Sequence, residues 1–374
     1  MLALAAVLLA PLFADHAVLQ QGKPVPVWGR AEPGEKVIVT FGAQKVSALA
    51  DASGDWIAYL DALSANTTGA DLTAGTAVIH DVLVGEVWIA SGQSNMEFVV
   101  DDPHGKIYHV DNAAEEVAAA KYPLIRHFKV KHQVATTPLA TAEGDWQLCS
   151  PATVPEFSAV AYFYSRELFR RLKVAIGIIN TSWGGTPIES WMSPMALAQA
   201  PLPHPHPSPG HPRANWTITG LYNGMVNPIV PYAIRGAIWY QGESNADLAG
   251  DYHPLFAELI TAWRAHLGQG NLPFYWVQLA NYLNPSDKTG TTYAELRAQQ
   301  TETLSLPATG QAVTIDIGDP ANIHPHNKQE VGRRLALIAK SQVYDIPTDF
   351  SGPAFPWRDL YAKSPCAGSG FTIN

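Results

Sequence analysis

Beyond about Asp81 the chain alternates two kinds of segment, and that alternation limits its fold more than any other feature. Residues 82–84 with 87–90, 174–179, 234–240, 274–279 and 312–317 are apolar runs of strand length. Between them, residues 158–173, 252–267, 294–304 and 329–343 carry apolar side chains at helical spacing. A strand that is apolar at successive positions is buried on both faces. Strand–helix alternation then implies a parallel sheet flanked by helices, so the expected fold class is α/β. In such sheets ligands bind beyond the carboxyl ends of the strands. The loops that follow the apolar runs are therefore where chemistry is expected.

The first part of the chain reads differently. Val25-Pro-Val-Trp28, residues 36–41 and residues 56–60 alternate apolar and polar positions, and Ala31-Glu-Pro-Gly34 and Asp51-Ala-Ser-Gly54 are turn signals between them. Short alternating strands at this spacing predict a small β-sandwich over residues 11–80, ahead of an α/β unit over 81–345. Residues 1–10 contain the apolar run 2–9. It is too short to span a bilayer and reads as a truncated signal peptide or as part of the first strand. The signal-peptide reading predicts a periplasmic or secreted protein. Residues 346–374 form a tail that reads as a cut-short β region.

Charge narrows the partners. With 24 Lys and Arg against 33 Asp and Glu, the formal net charge is −9, and no basic run offsets it. Such a chain repels nucleic acid and anionic membranes. Cys149 and Cys366 fit neither a metal spacing nor a CxxC motif. They form either a disulfide or two buried thiols. His204, His206 and His211 lie in a Pro-rich segment with no nearby carboxylate or Cys, which reads as a surface loop rather than a metal site.

Four polar blocks follow apolar runs. Gly92-Gln-Ser94-Asn-Met96 places a serine at a strand-to-helix turn, either as a nucleophile whose own amide helps to hold an oxyanion or as a helix N-cap. Asn180-Thr-Ser-Trp-Gly184-Gly185 lets backbone amides come close to a reacting carbonyl, or simply makes a tight turn. Trp239-Tyr-Gln241-Gly-Glu243 offers Gln241 as an oxyanion donor and Glu243 as an orienting or acid–base group; a buried polar network is the competing reading. Asp316-Ile-Gly-Asp319-Pro-Ala-Asn-Ile-His324-Pro-His326 offers an imidazole base, with Asp319 or Asp316 to hold its tautomer. His326 is expected to face solvent.

GEVWIASGQSNMEF, NTSWGGTPIESW, WYQGESNA and DIGDPANIHPHNKQEVGRRLA together resemble the sialate O-acetylesterase family of the SGNH hydrolase superfamily, and PLFADHAVLQQGKPVPVWGRAEPGEKV resembles the β-domain leading into such enzymes. The resemblance spans residues 11–345. It implies a flavodoxin-like three-layer hydrolase domain and hydrolysis of acetyl esters on carbohydrate without a metal or organic cofactor. By motif match it gives Ser94 as nucleophile, His324 as base and Gly184 or Gly185 as the oxyanion glycine. Two positions depart from the superfamily pattern. The residue three before the histidine is Ala321 rather than Asp, which leaves Asp319 as first choice of acid with Asp316 behind it. The oxyanion Asn is not evident, which leaves Gln241 in its place. Acetylated xylan or xyloglucan would suit the same chemistry, and a catalytically inactive carbohydrate-binding protein is the reading from a different class. For an anionic sugar, Arg126, Arg213 and Arg235 are the candidate cations.

Overall fold

The computed structural model describes residues 7–102, 108–200 and 213–352. The chain opens with β1 (Leu8–Leu9), β2 (Val18–Gln20), β3 (Val25–Arg30), β4 (Lys36–Phe41), β5 (Gln44–Leu49), β6 (Asp55–Leu60), β7 (Asn66–Ala74) and β8 (Ala77–Gly92). The alternation read in residues 36–41 and 56–60 is the burial pattern of β4 and β6, where every second side chain faces inward. β1, β3 and β6 form one antiparallel sheet, while β4 pairs with β5 and β7, and β7 with β8. Of the apolar run at residues 2–9, the described part is a strand: Leu8 and Leu9 pair with Arg30 and Gly29.

β8 crosses residue 80 without a break. Its first half pairs with β7, and Val18 to Gln20 of β2 run parallel to its middle. After it come α1 (Ser94–Glu97), α2 (Ala113–Ala119), β9 (Tyr122–Lys129), β10 (Trp146–Cys149), α3 (Ala159–Leu172), β11 (Ala175–Asn180), α4 (Pro194–Gln199), β12 (Gly236–Tyr240), α5 (Tyr252–Leu267), β13 (Phe274–Val277), α6 (Thr292–Glu302), β14 (Thr309–Ala312) and α7 (Lys328–Gln342). The sheet runs β10-β9-β11-β8-β12-β13-β14, parallel throughout except for β10 at the edge. Counting β8, β11, β12, β13 and β14 as first to fifth gives the order 2-1-3-4-5 of flavodoxin-like sheets, and β9 and β10 extend one edge.

Both faces are covered. Trp88 on β8 meets Tyr164 of α3 edge to face, whereas Trp239 on β12 meets Phe256 and Trp263 of α5. Trp88 is in register with Gly236, three residues before Trp239, so the two indoles leave opposite faces of the sheet. All residues of β11, β12 and β13 are accordingly buried. The switch in strand order lies between β8 and β12, where a crevice opens at the carboxyl edge.

Some expectations need correction. The strand expected over 312–317 is β14, which ends at Ala312; Val313 and Ile315 are exposed, so that stretch starts the loop to α7. Cys149 is a buried free thiol pushed up to about 12 by burial. Cys366, His204, His206, His211 and the tail beyond Gly352 lie outside the described residues.

Candidate active site

Ser94 stands at the switch point because β8 can end there only with glycine. Gly92 has φ +132°, and a Cβ on it would lie 2.1 Å from the Tyr240 carbonyl oxygen. The chain then turns into α1, whose first residue is Ser94. Gln93 holds the turn to the loop after β12, its Oε1 accepting from the Gly242 and Ser244 amides at 3.4 and 3.2 Å.

His324 enters from the loop between β14 and α7. Its Nε2 lies 2.8 Å from Ser94 Oγ, although the two residues are 230 positions apart. Burial, then the nearby Lys328 and His326, lower the imidazole to about 4. At neutral pH it is therefore uncharged and can accept the serine proton. The ring of Tyr108 packs edge-on against it at 5.2 Å. The pair opens into a cleft of about 510 Å³, also lined by Glu97, His132, Trp183, Gly184, Gly185 and Glu243.

The support for His324 differs from expectation. Asp319 turns back on its own loop, where Oδ1 accepts the Ala321 amide at 2.8 Å. Pro320 follows it, and a side chain that bonds the backbone two residues on is the usual behaviour of Asp in such a turn. Asp316 is bound by both terminal nitrogens of Arg334. Neither carboxylate touches His324. The loop is held through its backbone instead: Asn322 Oδ1 accepts the His324 amide at 2.9 Å, and Asn95 Nδ2 donates to the Ile323 carbonyl at 3.0 Å. His326 is half-buried against His109 and Phe98, rather than facing solvent, and does not reach Ser94.

Gln241 also differs. It is fully buried, donating to the Thr186 carbonyl at 3.1 Å and to Asn245 Oδ1 at 2.7 Å and accepting from the Tyr252 hydroxyl at 2.9 Å. Its polar atoms are thus committed to a network behind the cleft, the competing reading of that block. Glu243 does line the cleft, with its carboxyl raised by burial and Oε1 accepting from Asn95. The paired glycines flank the serine: a Cβ on Gly184 would lie 3.3 Å from that of Ser94. The Gly184 amide is taken by Glu97 Oε2 at 2.7 Å, whereas the amides of Gly185 and Ser94 have no acceptor among the described residues.

Three cleft residues were missed in the sequence. Glu97 follows Ser94 by three positions, the spacing of neighbours on a helical turn, which was a usable signal. Its other oxygen pairs with His132 Nε2 at 3.0 Å, and the His132 ring stacks on Trp183 at 4.0 Å. No spacing marks His132 or Tyr108. Of the three candidate arginines, Arg126 is buried against Asp81 and Arg235 is paired to Glu86, both away from the cleft. Arg213 alone comes near it, with Nη1 3.7 Å from where a Gly185 Cβ would sit. Among the described residues no group of three or more His, Cys, Asp or Glu could hold a metal ion, and no helix is long and apolar enough to cross a membrane.

Fold and site together define an α/β protein with a serine–histidine pair at the carboxyl edge of a mostly parallel sheet, the layout of a hydrolytic enzyme. The family model described as carbohydrate esterase, sialic acid-specific acetylesterase, matches residues 84–340. The chain belongs to this family. It is 31% identical to the sialate O-acetylesterase of Mus musculus over 94% of this chain and 76% of that protein. It is 30% identical to that of Homo sapiens, over 91% and 71%. The crystal structure of a carbohydrate acetylesterase from Xanthomonas citri superposes with TM-score 0.86 at 41% identity, covering 94% of this chain and 78% of that one.

Proposed function

We propose that this chain is a carbohydrate O-acetylesterase, sialate O-acetylesterase-like, that works through a serine acyl-enzyme of SGNH type. The observation that carries the reading is the 2.8 Å contact between Ser94 Oγ and the uncharged His324 Nε2. His324 takes the proton as Ser94 Oγ attacks the acetyl carbonyl carbon. The resulting oxyanion is held by the free amides of Ser94 and Gly185. The C–O bond to the sugar then breaks, and the sugar oxygen leaves with the proton from His324. Water, deprotonated by the same ring, attacks the acetyl-serine and releases acetate. The acid that usually orients such a histidine is replaced by the two asparagine contacts to its loop.

The 2-1-3-4-5 strand order supports the SGNH-type domain over residues 81–345. The two antiparallel groups, β1-β3-β6 and β5-β4-β7, support a β-sandwich over 11–80, ahead of it. A periplasmic or secreted location is proposed on the apolar run at residues 2–9, and cell fractionation tests it.

The similarity to the Xanthomonas citri carbohydrate acetylesterase favours a second reading at the same site, in which the acetylated sugar is a neutral glycan such as xylan or xyloglucan. The two carboxylates in the cleft, Glu97 and Glu243, suit a neutral sugar, whereas Arg213 suits sialate. Acetate release from O-acetyl sialic acid, acetylated xylo-oligosaccharides and acetylated xyloglucan fragments separates them. Preference for the first supports the sialate reading. Preference for either of the others supports the neutral one. Release from none contradicts the proposed activity.

A further inference from the structure

Lys328 is the first residue of α7 and is fully buried. Both facts are unfavourable. A cation at a helix N-terminus opposes the helix dipole. A buried ammonium loses its hydration, and burial lowers this one to about 7. The charge of Glu243 offsets this only in part, so the lysine is costly where it stands. Its Nζ lies over the rings of Phe98 and Tyr240, at 4.7 and 5.4 Å, and donates to Asn95 Oδ1 at 2.5 Å.

Asn95 is the residue after the nucleophile, and its side chain ties Ser94's turn to the His324 loop at Ile323. Its Nδ2 donates to the Ile323 carbonyl at 3.0 Å and to Glu243 Oε1 at 2.5 Å. In its charged form Lys328 has only protons to give, so it then meets only the oxygen end of an amide. The nitrogen end of Asn95 must then point away from Lys328, towards Ile323 and Glu243.

We propose that Lys328 is a positioning residue for the Ser94–His324 pair: by donating to the Asn95 carbonyl it fixes the amide orientation in which Asn95 holds the backbone of the His324 loop. It supplies through the backbone the orienting part of what a carboxylate on the imidazole does in the usual triad, and not the stabilisation of the imidazolium. The inference rests on the serine-esterase reading above.

The test compares Lys328→Met with wild type on p-nitrophenyl acetate. Freed of the ammonium, Asn95 can turn over and release the loop, and a misplacement of that kind costs roughly 10- to 100-fold. The loss falls on kcat, with KM little changed, because the acetyl group still binds. The melting temperature falls, because Met leaves the Asn95 carbonyl without its donor and Glu243 without a nearby positive charge. The groups around His324 are Lys328 on α7, His326 in its own loop, the Tyr108 ring, and Glu97 and Glu243 across the cleft. Removing Lys328 takes away the charge that, after burial, does most to hold the imidazole low, so the acid limb of kcat/KM moves to higher pH. Lys328→Gln, which can still donate to Asn95, recovers part of kcat.

A Lys328→Met enzyme with wild-type kcat overturns the proposal. So does one that loses kcat with an unmoved limb, the pattern of general damage. Should Lys328→Met not fold, Asn95→Asp carries the test: it accepts from Lys328 but cannot donate to Ile323, and wild-type kcat there overturns the proposal equally. Ser94→Ala separates the two levels. If it keeps wild-type activity, the serine reading fails; if it is inactive while the Lys328 and Asn95 variants are normal, only the positioning role fails.

Discussion

At the scale of single residues, the site depends on a histidine kept uncharged. Burial is the main cause and the positive Lys328 is next, so His324 sits near 4 rather than 6.5. Because the base works deprotonated, kcat/KM for p-nitrophenyl acetate should stay flat as pH falls from 7 to about 5 and decline only near 4. Asp319→Asn should give a superimposable profile, since Asp319 bonds only its own turn. A profile that bends near 6.5, or one that moves in Asp319→Asn, would mean that a carboxylate does act on the ring. That Ser94 and His324 meet was legible because each sits in a polar block after a strand-length apolar run. The absent carboxylate was half-legible: Ala321 showed that the usual acid was missing. How the loop is held was hidden, because Asn95 lies far along the chain from Ile323 and Lys328 and meets them only in the fold.

At the scale of elements, the loop after β12 works on two sides: Glu243 lines the cleft and Gln241 is buried behind it. Gln241 joins Thr186, Asn245 and Tyr252, and Asn245 in turn donates to Glu189 and accepts the Ile188 amide. Gln241→Met leaves several of these groups unpaired in the interior, which should lower stability by about 2 kcal/mol or more. Loss of an oxyanion donor would instead cut kcat by roughly 100- to 1,000-fold. Denaturant unfolding and esterase assay of the one variant distinguish the roles: lowered stability with kcat within about three-fold fits the network, and the reverse pattern restores Gln241 to the oxyanion. From sequence, Gln241 in the cleft and Gln241 behind it looked the same. Both put a polar side chain at a strand end, and only the 150° φ of Gly242 beside it decides where the chain turns. The helices were easier to read, α5 above all, because their apolar period repeats over several turns.

At the scale of the whole molecule, the β-rich N-terminal part and the α/β part share a strand and an ion cluster. β8 pairs with β7 and β2 at one end and with β11 and β12 at the other. Glu86, buried at its centre, accepts from Arg235, Gln21 and Tyr344, which come from three different parts of the chain. Breaking a buried pair typically costs about 3–5 kcal/mol, so Glu86→Leu should lower the melting temperature of a single cooperative transition, read by calorimetry. Two transitions, with only one displaced, would mean that the parts fold independently. The alternation of residues 36–41 and 56–60 made the first part legible as β, and the two-sided apolar runs made the second legible as a parallel sheet. A strand that serves both could not be read, because Gly85 and Glu86 break the run that a single long strand would show.

The most direct test of the account is hydrolysis of p-nitrophenyl acetate by wild type and by Ser94→Ala. Wild type should release p-nitrophenolate, and the variant, folded and with an unchanged melting temperature, should lose nearly all of that rate. Equal hydrolysis by the two proteins, or a folded wild type that releases nothing, would contradict Ser94 as the nucleophile of an acetylesterase.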